Sequence, residues 1–536
     1  MDQTKQPTNY GALGTLVTVF FFWGFIAASN SIFIPFCKTH FELTQFESQL
    51  IGSAFYVAYF FGSLVLFLAS NILGYDIINK IGYKKGIIYG LWISVIGALL
   101  IIPSANANSF PAILASFFVV ALGFSLQQTA AQPFAIALGD PSTGSHRLNM
   151  GGSINSFGTT LGPIIVSFFL FGSVGGEVAE VTVTNINTLY MIVAAVFAAV
   201  AIFFTFSKLP AGTSESKVEK ENKASASLLV MTGLVVATIV VGMLTDVPKL
   251  TLLIAIILAV ILVLLISNKK AISNNDGWGA MKYPQLIFGM IAIFVYVGVE
   301  VTIDNNFGAL LKVPGYFNAT GLDESEISKY VSLYWGSLMI GRWTGAVSVF
   351  NLKGTSKILA MIVVPFIAFA IILFVNYIYG NDISDLFLYA VCVMIAIGAF
   401  FYGQEKPVKT LVTVSVLAMV AMLIGVFTNG LLSVYAFMAG GLFCSVMWPC
   451  IFSLGVGGLG KYTSQGSALL IMMILGGAII PPFQGSLGDI PAIGIHYSYL
   501  LAALCFGLLA LIAMKLKSIL KSQGLDFDNQ IGGGGH

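Results

Sequence analysis

The stretch Tyr56-Val57-Ala58-Tyr59-Phe60-Phe61-Gly62-Ser63-Leu64 returns as Tyr330-Val331-Ser332-Leu333-Tyr334-Trp335-Gly336-Ser337-Leu338, at an offset of 274 residues (330 − 56). A second pair sets Gln132-Pro133-Phe134-Ala135-Ile136-Ala137-Leu138-Gly139 against Trp448-Pro449-Cys450-Ile451-Phe452-Ser453-Leu454-Gly455, at an offset of 316 (449 − 133). Two long matches at fixed separation signal a duplicated architecture. The offsets differ by 42 residues (316 − 274), close to the length of a helical hairpin, and two apolar spans near 357–379 and 384–402 lie between the matched places.

Composition says which solvent the duplicated units meet. Of 536 residues, 57% are hydrophobic and 9% are charged, whereas a soluble domain carries roughly 25% charged residues. Apolar runs recur near the ~20 residues an α-helix needs to cross a ~30 Å hydrocarbon core. Lipid cannot satisfy exposed backbone groups, so these spans are helices. The net charge of +2 gives no excess that would attract nucleic acid. The cysteines (Cys37, Cys392, Cys444, Cys450, Cys505) lack the paired spacing of a zinc or redox site, and nothing calls for a metal or cofactor.

Six spans precede a hydrophilic stretch from Lys208 to Ser225: 10–36, 47–73, 86–104, 110–138, 147–172 and 188–207. A close pair follows at 227–246 and 250–268, then eight more spans between 283 and 516, for about sixteen transmembrane helices. With a cytoplasmic amino terminus, the inner loops hold Lys80, Lys84, Lys85, Arg147, Lys208, Lys269, Lys270 and others, and the outer loops only Lys38, Lys249, Lys312 and Lys329. The positive-inside rule favours that orientation, with both termini cytoplasmic. The expected plan is an all-α polytopic membrane protein of two six-helix bundles plus two inserted helix pairs. The first bundle spans 1–208, a cytoplasmic linker with an inserted pair 209–282, the second bundle 283–517 with its inserted pair near 357–402, and a tail 518–536. Parallel repeats of this kind place a cavity between the halves near the bilayer midplane.

Ionisable groups at membrane depth are costly and are functional candidates by default. Tyr296, Glu300 and Asp304 recur every four residues and share a helix face. Asp304-Asn305-Asn306 between apolar stretches reads either as a broken segment lining the cavity or as the helix end. The first half offers neutral groups: Asn30, Ser31, Gln127, Gln128, Gln132, Asn149 and Asn155. Amides and hydroxyls donate and accept, which suits a polyhydroxylated ligand, and Trp23, Tyr334, Trp335 and Trp448 offer aromatic faces. The same residues serve equally as interhelical glue. Arg342 and Arg147, with the loop containing Asp76 and Lys84, are candidates for a gate at the inner side; a solvated loop would look similar.

Asn30-Ser31-Ile32-Phe33-Ile34-Pro35, Gln128 to Pro133 with Arg147-Leu148-Asn149 and Asn155-Ser156-Phe157-Gly158, Tyr296 to Val301, and Tyr330 to Arg342 together resemble the fucose–proton symporter family of the major facilitator superfamily, nearer its glucose/galactose branch. Trp448-Pro449 and Gly476 to Pro482 are similar to it as well. The resemblance implies the major facilitator fold, uptake of a sugar through a bacterial inner membrane, and a substrate site drawn from Asn30, Gln128, Gln132, Asn155, Tyr296, Glu300, Asn306, Trp335 and Trp448. Departures bear on coupling. Proton-coupled members have an Asp where Ser31 stands, the fucose carrier has a Glu where Gln128 stands, and a fifth-helix Gln of the family is Gly152. Titratable groups are thereby lost from the first half, which leaves Glu300 and Asp304 to bind Na⁺ or carry H⁺.

The reading is therefore a secondary active carrier of a monosaccharide such as glucose, galactose or fucose, coupled to Na⁺ or H⁺ and surrounded by lipid. An uncoupled sugar facilitator and an efflux carrier of another small solute are the alternatives. An enzyme would need a nucleophile or base cluster, and the histidines (His40, His146, His496, His536) are scattered.

Overall fold

The computed structural model describes residues 7–43, 45–171, 182–210, 221–322, 324–350, 352–403 and 406–527; side chains within 26–36, 38–39, 45–50, 163–171 and 324–325 are outside the description. Parts of the expected linker (211–220) and tail (528–536) therefore lie outside the described residues, as do the side chains of Asn30 and Ser31.

Long helical segments follow one another: α1 Tyr10–His40, α2 Gln45–Leu73, α3 Tyr83–Asn106, α4 Phe110–Ala137, α5 Gly144–Phe171, α6 Val183–Phe206, α7 Asn222–Leu244, α8 Lys249–Ser273, α9 Pro284–Leu311, α10 Glu324–Val347, α11 Gly354–Ile378, α12 Ser384–Gly403, α13 Pro407–Phe427, α14 Gly430–Val456, α15 Gly460–Gly488 and α16 Gly494–Ser522. Each expected span coincides with one of them. Among the described residues, 13 helices are long and apolar enough to cross a membrane. The three outside that count are α1, of which Tyr10–Phe25 qualifies as a shorter apolar helix, α5 and α10.

The chain divides into two compact units, Met1–Ser63 with Ile78–Ser214 and Arg342–Leu388, and Leu64–Ile77 with Glu215–Gly341 and Tyr389–His536. Two of the divisions within helices fall in α2 and α10, the pair matched by the repeat in the sequence, and the others in α12 and in the short helix Ile77–Ile81. Packing inside the units echoes the repeat too. In the first, α1 packs on α5, and α3 on α4 and α6; in the second, α9 packs on α15, and α13 on α14 and α16. That correspondence makes α13 the counterpart of α3, with α11 and α12 lying between α10 and α13 in the chain. Close approach is built from glycine: a Cβ on Gly158 would strike the Phe21 carbonyl of α1, and one on Gly476 the Phe294 carbonyl of α9.

The window of α9 is 89% buried, against 17% for α7 and 22% for α8, so α9 is central to its unit and the α7–α8 hairpin peripheral. On α8 the buried side chains Ile256, Val260, Leu264, Ser267 and Ala271 form one stripe at helical spacing. The hairpin is pinned at the ends of its two helices away from its turn. Asn71 at the end of α2 accepts from the Glu221 N–H at 2.7 Å and donates to Ser225 Oγ at 2.8 Å, while the Lys223 and Ala224 N–H groups both donate to the Gly277 carbonyl.

One expectation fails. Asp304-Asn305-Asn306 does not break its helix; α9 runs unbroken from Pro284 to Leu311. The segment has neither Pro nor Gly, so the backbone ladder stays intact. The interruptions occur elsewhere: α14 breaks after Cys444 and resumes at Met447, and α15 tightens to a 3-10 turn at Met473–Leu475. Pro449 explains the first, because its ring opposes the carbonyl four residues earlier, at Ser445.

Candidate functional site

In the second unit, α9 carries the acidic face. The Tyr296 hydroxyl donates to Glu300 Oε1 at 3.0 Å, and the carboxylate is 9% exposed. Four-residue spacing stacks the two side chains one above the other, so the bond follows directly from helix geometry. The Tyr296 ring lies 6.3 Å from that of Trp448, which stacks on Phe452 at 6.0 Å. One turn further on stands Asp304, with Trp335 of α10 beside it. Tyr296, Glu300, Asp304, Trp335 and Trp448 thus gather in one unit, with acids, hydroxyl and indoles along a single helix face.

The backbone beneath these acids is clamped. Tyr334 donates to the Glu300 carbonyl at 2.6 Å and Tyr499 to the Ile303 carbonyl at 2.9 Å. Both tyrosines are fully buried, so Tyr334 braces α9 from α10 while its neighbour Trp335 points to Asp304. Asn306 donates to the Thr302 carbonyl at 3.3 Å and to Gln484 Oε1 at 3.0 Å. Gln484 was missed by sequence reasoning, although a glutamine beside Pro481-Pro482 at membrane depth carries the signal that flags such sites.

Three amides of the first unit, Gln127, Gln128 and Asn155, meet partners on other helices. Trp23 donates to Gln127 Oε1 at 2.7 Å, and Gln127 donates in turn to Ser94 Oγ at 3.0 Å. Gln128 donates to the Tyr59 hydroxyl at 2.8 Å, Asn155 to the Phe20 carbonyl at 3.1 Å, and Gln132 is buried. Gln128 and Asn155 keep their carbonyl oxygens outside these bonds.

The inner-side candidates are placed separately. Arg147, 1% exposed, donates to the carbonyls of Ala135, Ile136 and Asp140 and to Thr143 Oγ1 at 2.6–2.8 Å, capping the end of α4 against the start of α5. Lys84 donates to the Thr205 and Ser207 carbonyls at the end of α6; cations suit helix C-termini. Asp76 is buried and accepts from Ser464 Oγ at 3.0 Å, so it is not part of a solvated loop. Arg342 donates to Ser156 Oγ at 2.9 Å and Trp343 to the Ser153 carbonyl at 3.2 Å. A Cβ on Gly152 would stand 3.1 Å from Arg342 Cδ, so the glycine there makes room for the arginine.

The chain is similar to the glucose/galactose transporter of Brucella abortus biovar 1 (strain 9-941), 29% identical over 509 residues covering 95% of each protein. It is 25% identical to the L-fucose-proton symporter of Escherichia coli (strain K12) over 516 residues, 93% of this chain and 91% of that one. Among solved structures, a variant of the E. coli fucose:proton symporter superposes with a TM-score of 0.62 at 23% identity, covering 94% of this chain and 98% of that chain. The family model described as Major Facilitator Superfamily matches residues 13–404. With a duplicated helical packing, long apolar helices and that match over most of its length, this multi-pass membrane protein belongs to the Major Facilitator Superfamily.

Proposed function

We propose that the protein is a secondary active transporter that carries a monosaccharide, a hexose or deoxyhexose such as glucose, galactose or fucose, through a bacterial inner membrane by alternating access. Both termini face the cytoplasm in this reading, as the lysine distribution favours. The observation that carries it is the Tyr296–Glu300 pair, with Asp304, Trp335 and Trp448 grouped around the same helix face. Carboxylate, hydroxyl and indole rings combine what a sugar needs, polar groups at its edges and a flat apolar surface beneath its ring. The printed names of the relatives, a glucose/galactose transporter and an L-fucose-proton symporter, support the substrate class.

In the proposed mechanism Asn30, Gln128, Gln132 and Asn155 supply amides from the first half. Tyr296, Glu300, Asn306, Trp335 and Trp448 hold the sugar from the second. Glu300 and Asp304 bind the coupling cation, Na⁺ or H⁺. Ser31 and Gln128 cannot titrate, which puts the coupling on α9 and favours Na⁺, since a fixed carboxylate with neutral amides suits that ion. Asp76, Lys84, Arg147 and Arg342 belong to the inner-side gate that opens as one bundle rocks on the other.

The test is uptake of labelled glucose, galactose and fucose into proteoliposomes, with Na⁺ and pH gradients imposed separately. Accumulation of at least one sugar under a Na⁺ gradient is expected. No uptake of any of the three above protein-free vesicles would overturn the reading.

A further inference from the structure

The geometry points to Gln484 as the residue that decides which way Asn306 faces its ligand, leaving Asn306 as a hydrogen-bond acceptor that selects a donating sugar hydroxyl. This deepens the proposed function and rests on it. An amide side chain has a donor end and an acceptor end of nearly equal shape, so its orientation must be deduced from partners whose roles are fixed.

Two such partners stand at opposite ends of one chain of hydrogen bonds. At the far end the Ile495 carbonyl can only accept, so the Ser498 hydroxyl 2.6 Å away donates to it. With its hydrogen used, Ser498 Oγ must accept from Gln484 at 3.1 Å, which identifies that atom as Nε2. Gln484 therefore turns Oε1 toward Asn306, and the Asn306 atom 3.0 Å from it is the donating Nδ2. At the near end the Thr302 carbonyl, another obligate acceptor, lies 3.3 Å from the same Nδ2. Both ends give the same answer independently. Gln484 is fully buried, so turning its amide would strand Ser498 Oγ and the Asn306 donor together.

Both Asn306 amide hydrogens are used by this relay, and Oδ1 is the polar atom it leaves over. Asn306 sits half-buried, two residues beyond Asp304 on α9. A group that only accepts rewards a ligand hydroxyl and leaves a ligand acceptor unpaired, and such unpaired polar contacts discriminate more strongly than lost apolar ones.

The experiment uses the full-length protein in proteoliposomes, with labelled glucose competed by its deoxy and deoxyfluoro analogues. Fluorine cannot donate, so at one ring position both analogues should compete about tenfold more weakly than glucose. Asn306→Ala should abolish that discrimination. Gln484→Leu should abolish it too and raise KM about tenfold with Vmax nearly unchanged. Gln484→Glu, which keeps an acceptor toward Asn306, should restore it, and it serves as well if the leucine variant does not fold by thermal unfolding in detergent. Absence of transport by the unsubstituted protein overturns the functional reading and this inference with it. Normal transport with discrimination intact in Asn306→Ala overturns the inference alone. Discrimination lost in Asn306→Ala but kept in Gln484→Leu removes Gln484 from the relay, as does a change confined to Na⁺ dependence.

Discussion

The Tyr296 hydroxyl donates to Glu300 Oε1 at 3.0 Å, one helical turn along the most buried long helix of its unit. A buried carboxylate that accepts from a neutral donor is suited to bind a cation or a ligand hydroxyl. Glu300→Gln is expected to abolish gradient-driven accumulation while leaving counterflow exchange of sugar measurable. Wild-type accumulation by this variant would show that coupling lies elsewhere. Tyr296→Phe removes one hydrogen bond to a charged group, worth about 1.5 kcal/mol or roughly tenfold in apparent cation or sugar affinity.

Trp335 of α10 lies beside Asp304 of α9, with its indole N–H as the donor available to the carboxylate. Trp335→Phe retains an aromatic face and loses the donor, so cation dependence should shift while competition by sugars changes little. A Na⁺ titration of uptake beside a sugar titration distinguishes the two, and equal shifts in both would show that Trp335 serves the sugar directly.

Asn71 bridges the Glu221 N–H and Ser225 Oγ, pinning the inserted α7–α8 hairpin to the end of α2. Asn71→Ala leaves both partners without this amide and should cost about 1–3 kcal/mol. Thermal unfolding in detergent, with proteolytic susceptibility of the hairpin, measures the loss. An unchanged transition with an intact hairpin would mean that packing of the α8 stripe alone holds it.

Arg147 spends its donors on the carbonyls that end α4. Arg147→Ala should lower stability by about 3 kcal/mol, because several buried acceptors lose a charged donor together. Arg147→Lys should recover little, since a single ammonium cannot reproduce the planar fork. Full rescue by lysine, read as folded yield and transition temperature, would argue for charge alone.

Much of the architecture was legible because lipid imposes a strict rule on the chain. Backbone groups must pair within their own segment, so apolar length locates most of the helices, 13 of which among the described residues are long and apolar enough to cross a membrane. The change of offset in the repeat pointed to a helical hairpin between the matched places, and α13 packs in the manner of α3. Likewise four-residue spacing placed Tyr296, Glu300 and Asp304 on one face, a consequence of local geometry that needs no neighbour.

What the letters could not decide is whom each polar group meets across helices. Asn306 looked like part of a break; a glutamine 178 residues away supplies its partner and α9 stays whole. The letters place Arg147 and Lys84 among charges at one side of the bundle, and the fold supplies their partners, carbonyls at the ends of α4 and α6. An amide or cation at membrane depth must be satisfied, but many distant residues could satisfy it. Periodicity and apolar length are properties of the chain and were readable from it; the choice of partner depends on which helix faces are pressed together, and only the packed structure contains that.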